Sequence, residues 1–506
     1  MATLRTLIAA AQLIAQHAPW PRALVGQAGW LEAAALLQQQ QCTLLGLWGE
    51  PNLVHMALLD AASQEAGILS LACPDRRYPS VGHLHAPAIR LERALRDLSG
   101  LEAEKLPDRR PWLDHGRWQI RHPLGDAENA APEPSPYPFL AVEGESLHQI
   151  PVGPVHAGII EPGHFRFQCH GEHVFHLEIN LGYQHRGIER AAKGGPHPRT
   201  LYQMEAAAGD TTIGHAWAYC QVIEALAEVA APQPAIDLRA LMLEFERLAN
   251  HTGDLGALAG DVGFLPTSSF NGRIRGDFLN LSAAVCGSRL GRGMLIPGGV
   301  RFGIDAARRD DLHRRLDRAG ADAIHSGELL FNTASVQARF EGVGIVRRED
   351  AVAAGLVGVA LRACGHPHDA RRNHPTGSQA GLIGMPATAN GGDVHARASV
   401  RFAELRESLS LSRFLLERIE TDGLLQARTP CDPRPHHLAI GIIEGWRGPV
   451  LHLGITGSNG NLTRYKIVDP SFHNWFGLML AMRDEQISDF PLCNKSFNLS
   501  YCGFDL

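Results

Sequence analysis

The sequence predicts an α+β protein in which a small α+β domain, a proline-rich linker and a larger domain follow one another. The chain has 506 residues, more than one hydrophobic core usually serves. Strand-like and helical apolar patterns alternate near the N-terminus, long helical patterns dominate later, and prolines at alternate positions separate the two parts. We therefore expect a first domain over 1–125, a linker over 126–150 and a second domain over 151–506.

The first domain is expected to combine strands with helices. The apolar runs "CTLLGLWG" (42–49) and "GILSLAC" (67–73) are typical of short strands, and "APAIRLERALRDLSG" (86–100) has the spacing of an amphipathic helix. A first amphipathic helix is expected as well. Its apolar residues recur at helical spacing at Leu4, Leu7, Ile8, Ala11 and Ile14.

The linker is predicted from "DAENAAPEPSPYPF". It has no apolar periodicity, and its prolines stand at Pro132, Pro134, Pro136 and Pro138. Such spacing favours an extended, polyproline-like chain over a helix or a strand.

The second domain is predicted to begin with a hairpin in "EPGHFRFQCHGEHVFHLE" (161–178), whose turn is "HGEH". Period-2 alternation gives the buried positions, namely Phe165, Phe167 and Cys169 on the first strand and Phe175, Leu177 and Ile179 on the second. His170, His173 and His176 have a spacing that would suit metal binding on a helix. In strands, residues three apart face opposite ways, which favours a polar outer face over a metal site.

Long helices are predicted next, over 201–230, 236–260 and 392–419, with the one-sided apolar spacing of a bundle. The last predicted element is a hairpin around "GSNGN" (457–461).

Composition excludes several classes of protein. Hydrophobic residues make up 45% and charged residues 20% of the chain, and the net charge is −6, which is unlike a nucleic-acid-binding protein. No apolar stretch reaches the roughly 18 residues of a membrane span, and the start lacks the small-residue ending of a signal peptide. The nine cysteines form no CxxC pair, so we expect neither a disulfide framework nor a zinc or iron–sulfur signature. We expect a cytoplasmic location.

Two acidic residues are candidates for proton chemistry. Glu161 stands beside Pro162 and Gly163, a tight turn that could fix its position, with His164 and Arg166 just inside the following strand.

Asp261 lies among small and apolar residues, so its carboxyl group must be hydrogen-bonded, paired or protonated. A cap at a helix end is the alternative for Asp261. His251 is either its neighbour through the turns of the helix or a core histidine.

The segments that carry these residues resemble, in the same order, one known family. It contains the large subunit of membrane-bound, energy-converting [NiFe] hydrogenases of the formate-hydrogenlyase type and the quinone-site subunit of respiratory complex I. The resemblance covers about residues 150–506 and rests on "GPVHAGIIEPGHFRF", "LEINLGYQHRGIER", "GHAWAYCQVIEAL", "SRLGRGMLIPGGVRF", "GDVHARASVRFAELRESL" and "ISDFPLCNKSFNLSYCGFDL". Residues 78–118 are similar to the small hydrophilic subunit of complex I, which formate-hydrogenlyase-type proteins carry fused to the large one.

The resemblance implies that nickel ligands are missing. The family holds nickel with two cysteine pairs, and matching on His215 and on "LSYCG" places Ala208, Thr211, Ser500 and Gly503 where those cysteines would stand. Cys502 falls between the ligand positions. Because hydroxyl and aliphatic groups do not replace thiolates on a soft metal centre, we expect no [NiFe] hydrogenase of the usual kind.

The resemblance also implies a proton-handling cavity. Glu161 matches a glutamate that hydrogenases use to pass protons, and Asp261 matches the aspartate that complex I pairs with its quinone histidine. That histidine is missing from its usual place, but His164, one position along, could serve, and Gly209 stands where the quinone-binding tyrosine would. Glu161, His164 and Asp261 are therefore the candidate catalytic residues. The candidate quinone- or cavity-lining residues are Arg166, His215, Thr211, Arg289, Ser500 and Cys502.

The function that the resemblance implies is that of a peripheral subunit of a complex-I-like membrane oxidoreductase on the cytoplasmic side of the inner membrane. Electrons from NADH or another donor would arrive through an iron–sulfur partner and pass to a quinone-like acceptor, with coupled proton or ion translocation. The implied partners are an iron–sulfur small subunit, a ferredoxin-like subunit and membrane-embedded antiporter-like subunits, and no nucleic acid. This chain itself would bind no metal or cofactor. A non-catalytic scaffold in such an assembly is the alternative.

Overall fold

The computed structural model describes residues 3–14, 17, 20–125, 128–129, 135–156, 160–376, 383–421 and 423–506. Helices and strands are mixed throughout, so the α+β class is confirmed. In the N-terminal part the elements are α1 Leu4–Ala9, β1 Gln12–Ile14, β2 Arg22–Val25, α2 Gln27–Gln38, β3 Cys42–Glu50, β4 Leu53–Asp60, β5 Ala66–Ala72, β6 Arg77–Pro79, α3 Pro87–Ser99, β7 Glu102–Glu104, β8 Ile120–Arg121 and β9 Glu128–Asn129.

The N-terminal elements form a five-stranded sheet in the order β1-β2-β5-β4-β3, covered by helices. The predicted strands and the predicted helix α3 are confirmed, and α3 ends at Gly100, which has a φ of 71° that favours glycine. The predicted first helix is only partly right. It ends at Ala9, and Ile14 lies in β1, because pairing with β2 across the sheet overrides the local helical spacing.

The second half of the predicted linker is structured. Pro132 and Pro134 lie outside the described residues, and Pro136 and Pro138 have no regular secondary structure. A further strand, β10 (Leu147–Val152), pairs antiparallel with the next strand along the chain. The end of the expected linker therefore belongs to the sheet of the second domain, because backbone hydrogen bonds recruit it there.

The C-terminal part is larger and mostly helical. Its remaining elements are β11 His164–His170, β12 His173–Asn180, α4 Ile188–Ala191, α5 Thr200–Glu205, α6 Thr212–Ala227, α7 Gln233–Asp261, α8 Leu265–Cys286, β13 Leu295–Ile296, β14 Gly299–Val300, α9 Ala306–Phe331, α10 Ala334–Phe340, α11 Arg348–Ala353, α12 Gly358–Arg362, α13 Ala370–Asn373, α14 Val394–Arg418, β15 Leu438–Glu444, β16 Pro449–Thr456, β17 Leu462–Val468, α15 Pro470–Ala481, a 3-10 helix Ile487–Asp489, α16 Phe490–Phe497 and α17 Tyr501–Phe504.

The predicted β11–β12 hairpin is confirmed, with one correction. Phe165, Phe167 and Cys169 are fully buried, as the alternation predicts. A register shift at Gln168/Cys169 changes the pairing near the turn, and Phe175 is 50% exposed instead of buried.

The long predicted helix over 201–230 is two helices, α5 and α6, because the chain leaves the helix between residues 206 and 211. Helices α7 and α14 match their predictions and pack against each other. The predicted C-terminal hairpin is β16–β17, and β15 extends it to a three-stranded sheet that packs on α6. No helix within the described residues is both long and apolar enough to cross a bilayer.

The hydrophobic core continues from the N-terminal part into the C-terminal part. Buried residues of the N-terminal sheet and of the large domain belong to a single cluster. The Arg90 side chain of α3 also donates a hydrogen bond to the backbone carbonyl of Ala354, 3.2 Å away. The N-terminal and C-terminal parts of the chain are therefore packed on each other.

Candidate functional site

Glu161 meets the C-terminal segment of the chain. The backbone amide of Cys502 faces the Glu161 carboxylate at 3.4 Å, a long hydrogen bond. The turn before β11 fits closely here, because a Cβ on Gly163 would lie 2.6 Å from the Tyr501 ring. Ser500 shapes the segment from the other side, since its hydroxyl accepts the Gly503 amide at 2.9 Å and starts α17. The predicted residues Glu161, Ser500 and Cys502 are thus brought together.

The loop between α5 and α6 reaches the same place. Burial raises the pKa of the Cys502 thiol, opposed by its contacts with the Ser500 hydroxyl and the Gly209 amide, so the thiol is protonated at neutral pH. Gly209 itself is exposed, and a Cβ there would meet no atom within 4 Å. Open space therefore lies beside a thiol and a carboxylate, where the family resemblance puts a missing tyrosine.

Asp505 belongs to this site, and the sequence analysis missed it. It is fully buried, and its carboxylate accepts the amides of Gly182 and Gln184 at 2.8 and 2.7 Å. Burial nevertheless raises the pKa of Asp505 to about 7, and the nearby negative charge of Glu161 adds to the rise. The available signal was the one used for Asp261, a carboxylate within the apolar stretch "CGFDL". A group with this pKa exchanges protons readily at neutral pH.

Thr211 and His215 lie behind this site. The Thr211 hydroxyl accepts the Trp446 indole N–H at 3.2 Å. His215 is fully buried and bonds on both sides, with His452 at 2.9 Å and with the Asp469 carboxylate at 3.0 Å. Tyr465 continues the chain, with its hydroxyl 2.8 Å from the second nitrogen of His452.

One hydrogen-bond direction in this buried chain follows from the protonation state of Asp469. Burial, together with His215, lowers the pKa of His452 well below its usual value, so His452 is neutral. Burial would raise the pKa of Asp469, but hydrogen bonds from His215 and Ser471 and the nearby charge of Arg447 lower it, so Asp469 is ionised. Because the ionised Asp469 carboxylate can only accept, the His215 Nε2–H donates to it.

Asp469 links this chain to the candidate site. A Cβ on Gly503 would lie 2.7 Å from the Asp469 carboxyl carbon, so only glycine fits at that position. The Ser500 amide donates to the Ser471 hydroxyl at 3.0 Å, and Ser471 donates its own amide to Asp469 at 2.8 Å. The buried chain therefore positions the C-terminal segment against Glu161.

His164 and Arg166 are not part of this cluster. Both contact the Phe139 ring, and the His164 Nδ1 lies 3.3 Å from the Gly153 carbonyl. Phe165, which lies between them in β11, instead faces Tyr501 and Trp475. Strand alternation therefore turns His164 away from the side of β11 that meets the C-terminal segment.

Asp261 and Arg289 also lie apart from Glu161. Asp261 is exposed at the C-terminal end of α7. His251 is not its partner, because the His251 imidazole bonds to Glu404 at 2.9 Å in the core. Arg289 is exposed and lies against α8 near Gly276.

The donor atoms at this site do not suit a nickel ion. The thiol of Cys502 is accompanied by the hydroxyls of Ser500 and Thr211, whereas nickel–iron centres need several thiolates. Among the residues that the structure describes, no group of three histidine, cysteine or acidic side chains is arranged to bind a metal ion.

Comparison with known proteins identifies the family. Residues 261–439 match the family described as "Respiratory-chain NADH dehydrogenase, 49 Kd subunit". Hydrogenase-4 component G of Escherichia coli (strain K12) is 30% identical over 489 residues, which are 94% of this chain and 84% of that protein. The chain belongs to this family. Its members are subunits of complex-I-like membrane oxidoreductases and hydrogenases.

Two further relatives show the breadth of the family. The carbon monoxide-induced hydrogenase of Rhodospirillum rubrum is 31% identical over 70% of this chain and 98% of its own length. The solved structure of a membrane-bound sulfane sulfur reductase, described as an archaeal respiratory membrane complex, contains a chain with the same fold. The TM-score is 0.66 at 22% identity, covering 72% of this chain and 99% of that one.

Proposed function

We propose that this chain is the acceptor-site subunit of a complex-I-like membrane oxidoreductase. Two electrons from an iron–sulfur partner and two protons convert a quinone to a quinol at the Glu161 site. Ion translocation by membrane-embedded partners is coupled to this step. The chain works as a peripheral subunit on the cytoplasmic face of the membrane and without nickel.

The observation that carries the proposal is the convergence of Glu161, Cys502 and Asp505 beside the open space at Gly209. Among the described residues, the Glu161 carboxylate has one contact, a 3.4 Å hydrogen bond from the Cys502 amide, so we infer that it can turn toward a substrate oxygen. Burial raises the pKa of Asp505 to about 7, which suits a group that reloads Glu161 with protons. The exposed Gly209 leaves room for a flat ring.

His164, Arg166, Asp261 and Arg289 have a different place in the proposal. Asp261 and Arg289 are exposed in the isolated chain, so in this proposal they contact a docked partner subunit and not the substrate. His164 is buried and its Nε2 has no hydrogen-bond partner among the described residues. In this proposal, His164 lies on the outer side of β11 and does not contact the substrate directly.

The test uses the purified membrane assembly. Decylubiquinone should raise its unfolding temperature, as a ligand that binds only the native state must. Glu161→Gln should lower quinone reduction by roughly 100-fold, the usual size of a lost general acid. Glu172→Gln, an exposed glutamate in the β11–β12 turn, is the matched control and should leave the rate unchanged.

The scaffold alternative rests on the missing thiolates and on the buried positions of Ser500 and Cys502. It predicts no protection by decylubiquinone and full turnover of the assembly with Glu161→Gln. One equivalent of bound nickel per chain would instead contradict both the quinone-site proposal and the scaffold alternative.

A further inference from the structure

A cavity of about 460 Å³ lies between the N-terminal domain and the large domain. We call it the interdomain pocket. Helix α3 of the first domain and helix α15 of the second form two of its walls. Its apolar lining includes Ile89, Trp112, Leu140, Phe476, Met479 and Leu480. This size and lining are typical of small-molecule sites.

An unpaired cation lies within the apolar lining. The Arg90 guanidinium donates to the Ala354 carbonyl and faces the Phe476 ring at 5.1 Å, but its Nε atom is buried without a partner. No carboxylate within the described residues forms an ion pair with it. Burial and the neighbouring Arg93 lower the pKa of Arg90 to about 10, so it remains charged at neutral pH.

The other charges of the pocket are already paired or exposed. Arg93 bonds to Asp108 at 2.9 Å, and Arg110 bonds to Asp108 and Glu178. Asp350 and Arg483 are exposed at the rim. Among the described residues of the pocket, the half-buried Arg90, whose Nε atom is fully buried, is thus the cation that lacks a counterion, and such a desolvated charge is costly unless a ligand neutralises it.

The histidines around Arg90 are neutral. Burial, with Arg90 as a second cause, lowers the pKa of His85 to about 4 and that of His473 to about 3, so both imidazoles are neutral. His176, on the opposite wall, is also kept neutral by burial and has an Nε2 atom without a partner. Among the described residues that line the pocket, two nitrogens therefore lack hydrogen-bond partners, and one of them belongs to a cation.

We propose that the interdomain pocket binds a single-chain anionic amphiphile, with its carboxylate or phosphate head at Arg90 and its hydrocarbon chain along Trp112, Phe476 and Met479. An arginine suits both head groups, because its planar fork donates two parallel hydrogen bonds. The ligand joins the two domains, since its chain contacts both walls. This site is separate from the Glu161 site and does not depend on the function proposed for it.

The experiment measures binding to the purified, delipidated assembly below the critical micelle concentration of each probe. The probes are palmitate, 1-palmitoyl-lysophosphatidate, hexadecyltrimethylammonium and inorganic phosphate. Palmitate, lysophosphatidate or both should raise the unfolding temperature and bind with saturable affinity, and whichever binds identifies the head group. The cationic amphiphile and inorganic phosphate should do neither.

Two variants test the contacts. Arg90→Met should weaken binding of the anionic amphiphile at least tenfold, while Arg109→Met, which removes an exposed arginine of the same domain, should not. Met479→Trp should weaken binding by filling the pocket, with Arg90 intact. Equal binding by Arg90→Met, equal binding of the cationic probe, or no binding of either anionic amphiphile would overturn the proposal. So would a structure of the assembly in which a partner's acidic side chain occupies the pocket.

Discussion

Two groups of charged residues in this chain are built in opposite ways. In the central ion network, Arg362 bonds to Glu404 at 2.8 Å and to Glu444 at 2.8 Å, and Arg371 bonds to Asp369 at 2.8 Å. All five side chains are at most 1% exposed. At the Glu161 site, by contrast, the carboxylate accepts a long hydrogen bond from the Cys502 amide, and open space lies nearby at Gly209.

The pKa values show the same contrast. Burial alone would raise the pKa of Glu404, but the charge of Arg362 and the hydrogen bond from His251 lower it strongly. Asp505, by contrast, has amide partners but no bonded cation, and burial raises its pKa to about 7. Glu404 is thereby held ionised and serves the fold, whereas Asp505, which is buried without a bonded cation among the described residues, can exchange protons.

The largest effect is expected from removing the cation of the central ion network. Arg362→Met leaves Glu404, Glu444 and Asp369 buried without it, which should cost about 3–5 kcal/mol of unfolding free energy. Urea unfolding of the full chain measures this loss. The control is Arg406→Met, since the Arg406–Glu328 pair is half exposed and should contribute less than about 1 kcal/mol. Similar losses for both variants would show that the buried network contributes no more to stability than an exposed ion pair.

A smaller effect is expected at Asp469, which lies between the two regions. Asp469→Asn removes the charged acceptor of His215 and should cost about 2 kcal/mol. Because the folded pKa of Asp469 is lowered, its contribution is present above the unfolded value of about 3.9 and is lost as pH falls through the folded value. Unfolding midpoints measured between pH 7 and pH 2.5 should therefore converge for the wild type and the variant at low pH. A constant difference would exclude this role of the charge.

Asp505 should affect the pH profile more than stability at one pH. Its pKa is raised when folded, so its contribution to stability is present below the unfolded pKa and declines as pH rises to about 7. Asp505→Asn should remove both this decline and an inflection near pH 7 in quinone reduction. Activity assays from pH 5 to 9 test the second point, with Glu172→Gln as the control. An unchanged inflection would assign it to another group.

The smallest effect is expected at Gly209. Its side-chain direction is open, and it is not among the glycines with positive φ, so Gly209→Tyr should change stability by less than about 0.5 kcal/mol. The added ring should bind decylubiquinone more tightly, by a few-fold in Kd. Gly503→Ala is the contrasting variant, because a Cβ there would collide with Asp469 and destabilise the segment. A stable Gly503→Ala chain would show that the segment has room for a Cβ beside Asp469.

The sequence by itself determined the elements whose apolar pattern is long or strongly alternating. Helices α3, α7 and α14 and the hairpins β11–β12 and β16–β17 are where the periodicity places them, and Glu161 was identified from its turn. Such patterns state which face of an element is buried. They do not state which distant segment covers that face.

Only the tertiary structure decided the rest. Pairing with β2 ends the first helix at Ala9, and pairing with β11 turns the end of the linker into β10. Asp505 comes near Glu161 because residues more than 300 positions apart meet through packing. Proximity of this kind has no local period, and so the membership of the site could be read only from the folded chain.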